Sequence, residues 1–290
     1  MYLPRRGTSM SSGELRRDLS ARNIVRASGL IHEVTFGSVP SVIYSEDESG
    51  EGHGNFLGAS YRRISADPQW RRRMTKVYTA GGRVARRHDR WRAELDCANS
   101  SDALLMNIFC YPGLLSRPGF RRLLGGLVPG QRPEFGVRVQ IPLANGGGDR
   151  TEVDMTLGEY LIEAKLTETG FQQARLALVE RYRDLAEVFS VDQLPRVGHG
   201  PTAPYAEYQL VRGVLAANAF QRSFLVLCDS RRTDLIESWF RVMCAVRRCE
   251  LRGRLRFLTW QELSAEAPKA LQVFLYEKYG IVADKQLCAA

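Results

Sequence analysis

One stretch of the chain, residues 151–166, constrains the fold more than any other. Its sequence, TEVDMTLGEYLIEAKL, alternates apolar and polar residues on both sides of a central Gly158-Glu159 pair. A period of two is typical of β-strands, and glycine at the first position of a two-residue loop favours a type II′ turn. The segment therefore predicts an antiparallel hairpin that turns at Gly158 and Glu159.

The turn also predicts the register of this hairpin. Met155 then lies opposite Ile162, and Asp154 lies opposite Glu163. A slip of one residue would exchange the two faces of the ribbon and bury its charges, so we expect the register to be well specified. The apolar face contains Val153, Met155, Leu157, Tyr160, Ile162 and Ala164.

The opposite face of the hairpin brings two carboxylates together. Because like charges at opposed positions repel, Asp154 and Glu163 make sense if a divalent cation binds between them. We expect Mg²⁺, with Mn²⁺ as an alternative, since hard cations prefer carboxylate and carbonyl oxygens. Lys165 shares this face, where an ammonium can orient a water and stabilise negative charge. The carbonyl of Ala164 is a further candidate ligand, and an ordinary exposed hairpin with a Glu–Lys pair is the alternative interpretation.

The other segments mix helical and strand patterns. The patterns predict helices at 13–28, from 67 onwards, and at 83–95, 102–110, 170–189, 206–220, 233–247 and 260–278, and strands at 31–36, 41–44, 133–143, 223–228 and 254–258. This order indicates an α/β fold with a central mixed sheet flanked by helices. We expect a flexible tail over 1–12, a mostly helical basic region over 13–82 and the α/β domain over 83–290.

Positive charge is concentrated in residues 62–92. That window contains eleven Lys and Arg against two acids, whereas the rest of the chain balances 30 against 30. A balanced body with one strongly basic segment suggests a polyanionic partner, nucleic acid first, although a solvated helical face is the alternative. The arginines expected to contact nucleic acid include Arg71, Arg72, Arg83, Arg86 and Arg87.

Several other classes of protein do not fit the sequence. It contains no apolar run long enough to cross a bilayer and no secretory signal, and its six cysteines lack the spacing of a zinc site. We therefore expect a cytoplasmic protein with reduced thiols and no membrane partner.

The hairpin motif resembles a known signature. Asp154 followed by Glu163-Ala164-Lys165 looks like the motif of the PD-(D/E)XK nuclease superfamily, and the order of elements over about residues 84–260 is similar to that superfamily's core. More narrowly, TEVDM and LIEAKLTETGF, with SSDALLMNIF upstream and YQLVRGVLAA downstream, resemble a branch of bacterial restriction-endonuclease-like proteins. One departure is Val153, which stands where the motif has proline.

This resemblance implies a restriction-endonuclease-like core and metal-dependent hydrolysis of phosphodiester bonds, most simply in DNA, with RNA as an alternative. Asp154 and Glu163 would hold the metal, and Lys165 would assist the attacking water. A third acid often comes from the helix before the sheet. Glu94 is the first candidate for that role and Asp102 the second, although Asp102 also suits the start of a helix.

Further candidates lie downstream of the motif, and other functions stay open. Gln209 and Arg212 fall in a predicted helix, from which they could contact the scissile strand. A homodimer would supply the two active sites that paired cuts need. The alternatives are a non-catalytic nucleic-acid-binding protein that keeps the nuclease fold, and an interaction module whose arginines meet an acidic partner.

Overall fold

The computed structural model describes residues 9–78, 92–126 and 130–283. In these ranges the helices are α1 (Ser12–Arg26), α2 (Gly58–Ala66), α3 (Pro68–Met74), α4 (Ser101–Phe109), α5 (Pro118–Leu123), α6 (Leu176–Val179), α7 (Leu185–Val188), α8 (Tyr208–Ala219), α9 (Thr233–Ala245), α10 (Cys249–Arg252), α11 (Trp260–Ala265) and α12 (Lys269–Tyr279). The strands are β1 (His32–Val34), β2 (Val42–Tyr44), β3 (Glu134–Pro142), β4 (Gly148–Leu157), β5 (Tyr160–Ala164), β6 (Ser223–Cys228) and β7 (Leu255–Thr259). None of the described helices has the length and apolar character that a membrane-spanning helix needs.

The chain folds into two compact units, each assembled from separate stretches of sequence. Unit 1 joins the residues up to Ser11 to Phe135–Leu258, and unit 2 joins Ser12–Glu134 to the chain from Thr259 onwards. The expected domain boundary between residues 82 and 83 lies outside the described residues and stays a prediction.

The expected flexible tail over 1–12 is described only from residue 9 onwards. In that part, the Met10 N–H donates to the Arg231 carbonyl at 2.8 Å, and Ser12 already begins α1. Met10 therefore makes a backbone hydrogen bond to the rest of unit 1, and the flexible tail over 1–12 stays a prediction.

A five-stranded mixed sheet in the order β3-β4-β5-β6-β7 forms the centre of unit 1. β4 and β5 are the expected antiparallel hairpin, and β5 runs parallel to β6. Met155 pairs with Ile162 and Leu157 with Tyr160, which confirms the register that the alternation predicts. Gly158 in the turn has a φ of 54°, a conformation that glycine adopts at little cost. The prediction of an α/β fold with a central mixed sheet is thus confirmed.

Helix α8 packs closely on the sheet of unit 1. A Cβ atom on Gly213 would lie 2.2 Å from the ring of Phe224 in β6, so this position of α8 requires a glycine for the helix to approach the strand. Phe224 in turn contacts Trp239 of α9, with ring centroids 6.1 Å apart. This close packing brings the first turn of α8 to the carboxyl end of β5, where the candidate site lies.

The expected helix over residues 170–189 does not form. The segment contains only the single-turn helices α6 and α7, and its backbone bonds to other parts of unit 1 instead. Ala174 pairs with Tyr205, and the Phe171 and Gln172 carbonyls accept from residues at the start of α8. These tertiary bonds use backbone groups that a continuous helix would need, so amphipathic spacing alone gave the wrong prediction here.

The expected helix over residues 83–95 also fails where it can be followed. Residues 83–91 lie outside the described part, and residues 92–95 are not helical. Ala93 instead bridges to Val77, while the Tyr78 N–H donates to the Arg92 carbonyl at 2.8 Å. Residues 77–78 and 92–93 are therefore paired with each other.

Unit 2 contains two of the expected helix starts and two of the expected strands. The Asp67 carboxylate caps α3 by accepting from the backbone N–H groups of Gln69 and Trp70, and the Ser100 hydroxyl caps α4. These contacts are the ones that Asp and Ser make when they precede a helix. β1 and β2 lie within the strands expected at 31–36 and 41–44, and they form a two-stranded antiparallel ribbon.

Candidate active site

Glu163 and Lys165 form a buried ion pair at the carboxyl end of β5. Their Oε1 and Nζ atoms are 2.6 Å apart, and both side chains are less than 10% exposed, at 8% and 7%. The side-chain amide of Gln209 donates to the same oxygen at 2.9 Å. In the part of the chain that the structure describes, both bonds to Glu163 end on Oε1, which leaves Oε2 for a further ligand.

Asp154 is held beside this pair by the backbone of β5. Its Oδ2 accepts from the Ala164 N–H at 2.8 Å. The next N–H along the strand, that of Lys165, donates to the Leu227 carbonyl in β6 at 2.8 Å. Successive residues of a strand bond to opposite neighbours, so the backbone polar groups of Ala164 point towards the Asp154 side. The structure thus brings together Asp154, Glu163, Lys165 and Gln209.

Three carboxylates act on the charge of Lys165. Burial by itself would lower the pKa of the ammonium, but the carboxylates of Glu163, Glu168 and Asp154 together raise it above its ordinary value. These carboxylates therefore keep the ammonium of Lys165 charged.

A buried arginine that sequence analysis missed holds the backbone after Lys165. Arg232 is fully buried and donates to the carbonyls of Leu166 and Glu168 at 3.1 and 2.8 Å. The Glu168 side chain also accepts from the Leu166 N–H at 2.6 Å. The available signal was the position of Arg232 soon after the wholly apolar strand SFLVLC, since an arginine there must find partners near the sheet.

The start of α8 places the two downstream candidates differently. Gln209 reaches Glu163, and its backbone N–H is fixed by the Phe171 carbonyl at 2.9 Å. Arg212 instead stacks over the ring of Tyr208, with its Cζ atom 4.8 Å from the centroid. Tyr205 precedes the helix rather than belonging to it. Gln209 is therefore in contact with the site, while Arg212 makes an aromatic contact beside it.

The two third-acid candidates, Glu94 and Asp102, both belong to unit 2. Asp102 is buried and accepts from Arg73 at 2.7 Å and from Lys76 at 3.2 Å. Glu94 pairs with Lys76 at 3.1 Å. Burial, followed by the charge of Asp102, raises the pKa of Glu94. These residues form a charged network of their own.

The arginines expected to contact nucleic acid are described only in part. Arg71 and Arg72 are exposed on α3, with Arg71 4.0 Å from a Glu46 oxygen. Arg83, Arg86 and Arg87 lie outside the described residues. The exposed position of the first two is compatible with contacts to a phosphate backbone.

The donors at the candidate site suit a hard cation. Within the described ranges there is no group of three or more His, Cys, Asp and Glu residues arranged to hold a metal. Mg²⁺ does not require such a group, because it is commonly held by one or two carboxylates, with waters and phosphate oxygens as its other ligands. Two carboxylates beside the backbone of Ala164 fit that pattern.

Comparison with known proteins identifies the family. The model of the family described as restriction endonuclease associating with ARP matches residues 32–280. The chain belongs to this family. No curated protein and no solved structure matches the chain. Family membership and the five-stranded mixed sheet together give the chain a restriction-endonuclease-like fold.

Proposed function

We propose that the chain is a Mg²⁺-dependent nuclease of the PD-(D/E)XK type that hydrolyses phosphodiester bonds of DNA in the cytoplasm. The observation that carries the proposal is the convergence of Asp154, Glu163 and Lys165 at one end of the hairpin. Membership of a restriction-endonuclease family supports the same chemistry.

Each residue of this cluster has a role that its contacts support. Asp154 and Glu163 would hold the cation through their carboxylates, with the Ala164 carbonyl as a third ligand. A divalent cation bound there supplies charge neutralisation and a water of lowered pKa. Gln209 keeps the Glu163 carboxylate in orientation through its bond to Oε1.

Lys165 would provide a permanent positive charge within the site. Its ammonium donates to the attacking water or to a non-bridging oxygen of the phosphate. The water oxygen would form a bond to phosphorus as the ester P–O bond breaks; the attacking water would give up one proton to solvent, and the departing oxygen would take up one proton from solvent. The bond from Lys165 to Glu163 fixes the ammonium before substrate binds.

The remaining candidates have separate roles in this proposal. Arg71, Arg72 and the arginines at 83, 86 and 87 would follow the phosphate backbone, while Arg212 would contact the scissile strand. Glu94 would serve as a third acid. A homodimer would allow paired cuts in duplex DNA.

Cleavage assays with the full chain test the proposal. Supercoiled plasmid and single-stranded DNA are incubated with Mg²⁺, with Mn²⁺ and with EDTA, and structured RNA is included as an alternative substrate. We expect cleavage of DNA only when the metal is present. Asp154→Ala and Lys165→Ala should abolish cleavage while leaving the far-UV spectrum and DNA binding unchanged.

Two results would replace the proposal with another function. Salt-dependent DNA binding by wild type with no metal-dependent cleavage would indicate a non-catalytic binder of nucleic acid. Full activity of either variant, measured on protein purified identically to wild type, would remove the hairpin from the chemistry. The Glu159→Gln variant, altered at an exposed turn residue of the same hairpin, serves as the matched control.

A further inference from the structure

A cavity of about 300 Å³ lies within unit 2 and includes none of the hairpin residues. This volume is at the lower end of the range for small-molecule sites, about 300–1,000 Å³. Among the described residues that line it there is no Asp or Glu. Its wall includes two cations, Arg63 and Arg132, three aromatic rings, Trp70, Phe109 and Tyr111, and the uncharged polar side chains of Ser116 and Gln131.

The two guanidinium groups of the cavity are positioned by one indole ring. The Cζ atoms of Arg63 and Arg132 lie 5.6 and 4.9 Å from the centroid of Trp70. The indole itself is fixed, because its Nε1 donates to the Pro133 carbonyl at 2.9 Å. Arginine that stacks on an aromatic ring keeps its planar set of N–H donors oriented towards other ligands. The cavity therefore contains two pre-oriented guanidinium groups that are suited to bind an anion.

Of the two guanidinium groups, only that of Arg132 has an ion-pair partner among the described residues. Arg132 pairs with Asp67, whose carboxylate also caps α3. Arg63 is exposed and has no ion-pair partner in the described stretches of the chain. One positive charge therefore remains for an anionic ligand, and a phosphate group matches the geometry of guanidinium donors.

An unsatisfied acceptor distinguishes the cavity from a plain anion site. The Oε1 atom of Gln131 is buried and has no hydrogen-bond partner among the described residues. Buried acceptors are normally satisfied, so a ligand that supplies an N–H group would complete this one. Tyr111 is half-buried and contributes an aromatic surface to the same wall.

We propose that this cavity binds a nucleotide, with the phosphate on Arg63 and Arg132 and the base N–H groups directed to Gln131. A free nucleotide and one nucleotide of a nucleic-acid strand share this chemistry. The site is independent of the proposed nuclease chemistry, because none of its residues belongs to the hairpin cluster.

Calorimetric titrations of the full chain in EDTA test the site without any cleavage. The probes are inorganic phosphate, adenosine, AMP and a 5′-phosphorylated trinucleotide. We expect AMP to bind about tenfold more tightly than phosphate or adenosine, because both parts of the nucleotide find partners. Arg63→Gln should reduce AMP affinity to the level of adenosine, and Gln131→Ala should reduce it to the level of phosphate.

The control is Arg62→Gln, which changes an exposed arginine that neighbours Arg63 and does not line the cavity. It should bind AMP as wild type does. Equal AMP affinity in Arg63→Gln and Arg62→Gln would overturn the proposal, as would phosphate binding as tightly as AMP, which would mean a site for anions only. If AMP binds as expected, tighter binding of the trinucleotide identifies a strand as the source, and equal binding identifies a free nucleotide.

Discussion

Two charged clusters, one in each unit, combine the same residue types but balance them differently. In unit 2, Asp102 and Glu94 face two cations, Arg73 and Lys76, so the four charges cancel. In unit 1, the described bonds to Asp154 and Glu163 come from the ammonium of Lys165 and from the uncharged groups of Gln209 and Ala164. The described contacts of unit 2 therefore pair two acids with two cations, whereas those of unit 1 include one cation for two acids.

Under the proposed function, this difference distinguishes a structural network in unit 2 from a cation-binding site in unit 1. A buried ion pair contributes little net stability but is costly to break, since a broken pair leaves a charge unpaired in a poorly solvated place. Substitution of Asp102, the buried acid of the balanced network, should therefore affect folding first. Substitution in the unbalanced cluster should affect cation binding and chemistry first, because its carboxylates repel each other in the absence of a cation.

The largest effect is expected for Glu163→Gln. The amide keeps the size of the side chain and can still accept from Lys165, but it removes one of the two carboxylates that would hold the cation. We expect cleavage of plasmid DNA to fall by about 10³-fold, with a far-UV spectrum like that of wild type. If raising Mg²⁺ restored full activity, weaker metal binding alone would explain the defect; retention of activity at ordinary Mg²⁺ would make the cluster a structural one.

Asp102→Asn is expected to act on stability instead. The change leaves Arg73 and Lys76 beside a neutral amide, so we expect the free energy of unfolding in urea to fall by about 3 kcal/mol. The comparison with Glu163→Gln is decisive when both variants are assayed at the same temperature. A loss of stability in Glu163→Gln as large as that in Asp102→Asn would erase the distinction between the two clusters.

The two clusters also show which structural features can be predicted from local sequence patterns. The hairpin register follows from local information, namely alternation and a turn glycine, and the pairs Met155–Ile162 and Leu157–Tyr160 confirm it. Arg232 could not be found in that way, because its partners Leu166 and Glu168 are 66 and 64 residues away in sequence. Long-range contacts are decided by the packing of the whole fold, which no local pattern encodes.

The segment over 170–189 also shows that long-range contacts can override a local sequence pattern. Its apolar residues have the spacing of an amphipathic helix. Its backbone nevertheless forms hydrogen bonds to the start of α8 and to the turn after β3, so most of the segment is irregular. One of those bonds, from the Gln209 N–H to the Phe171 carbonyl, helps to hold Gln209 beside Glu163. The departure from the predicted helix therefore supports the candidate site.

Glu94→Gln sharpens the comparison because Glu94 is the more exposed acid of the balanced network. Its side chain is 28% exposed, against 4% for Asp102, and it pairs with one cation rather than two. As a third acid it should lower cleavage by about tenfold when replaced by glutamine, with folding little changed. Unchanged cleavage would confine Glu94 to the network, while a loss equal to that of Glu163→Gln would make it an equal partner in the chemistry.

Lys278 offers the opposite case to Lys165, since it is a buried lysine whose described contacts include no carboxylate. Its Nζ donates to Asn23 Oδ1 at 2.7 Å and to the Ala98 carbonyl at 3.3 Å. Burial, followed by the charge of Arg26, holds the pKa of Lys278 well below its ordinary value. The two lysines show that neighbouring carboxylates, and not burial alone, decide the direction of the shift.

Lys278→Met measures this difference through the pH dependence of stability. With the folded-state pKa lowered, the unfolded chain binds the extra proton between that pKa and the ordinary value near 10.5, so wild-type stability rises with pH across this window. The advantage of the methionine variant over wild type at pH 7 should shrink as the pH rises, by at most about 1.4 kcal/mol per pH unit. Urea unfolding at a series of pH values from 7 to about 10 checks this, with the exposed Lys269→Met on the same helix as control. A constant difference between variant and wild type would mean that Lys278 stays protonated in the fold, and the contrast with Lys165 would then disappear.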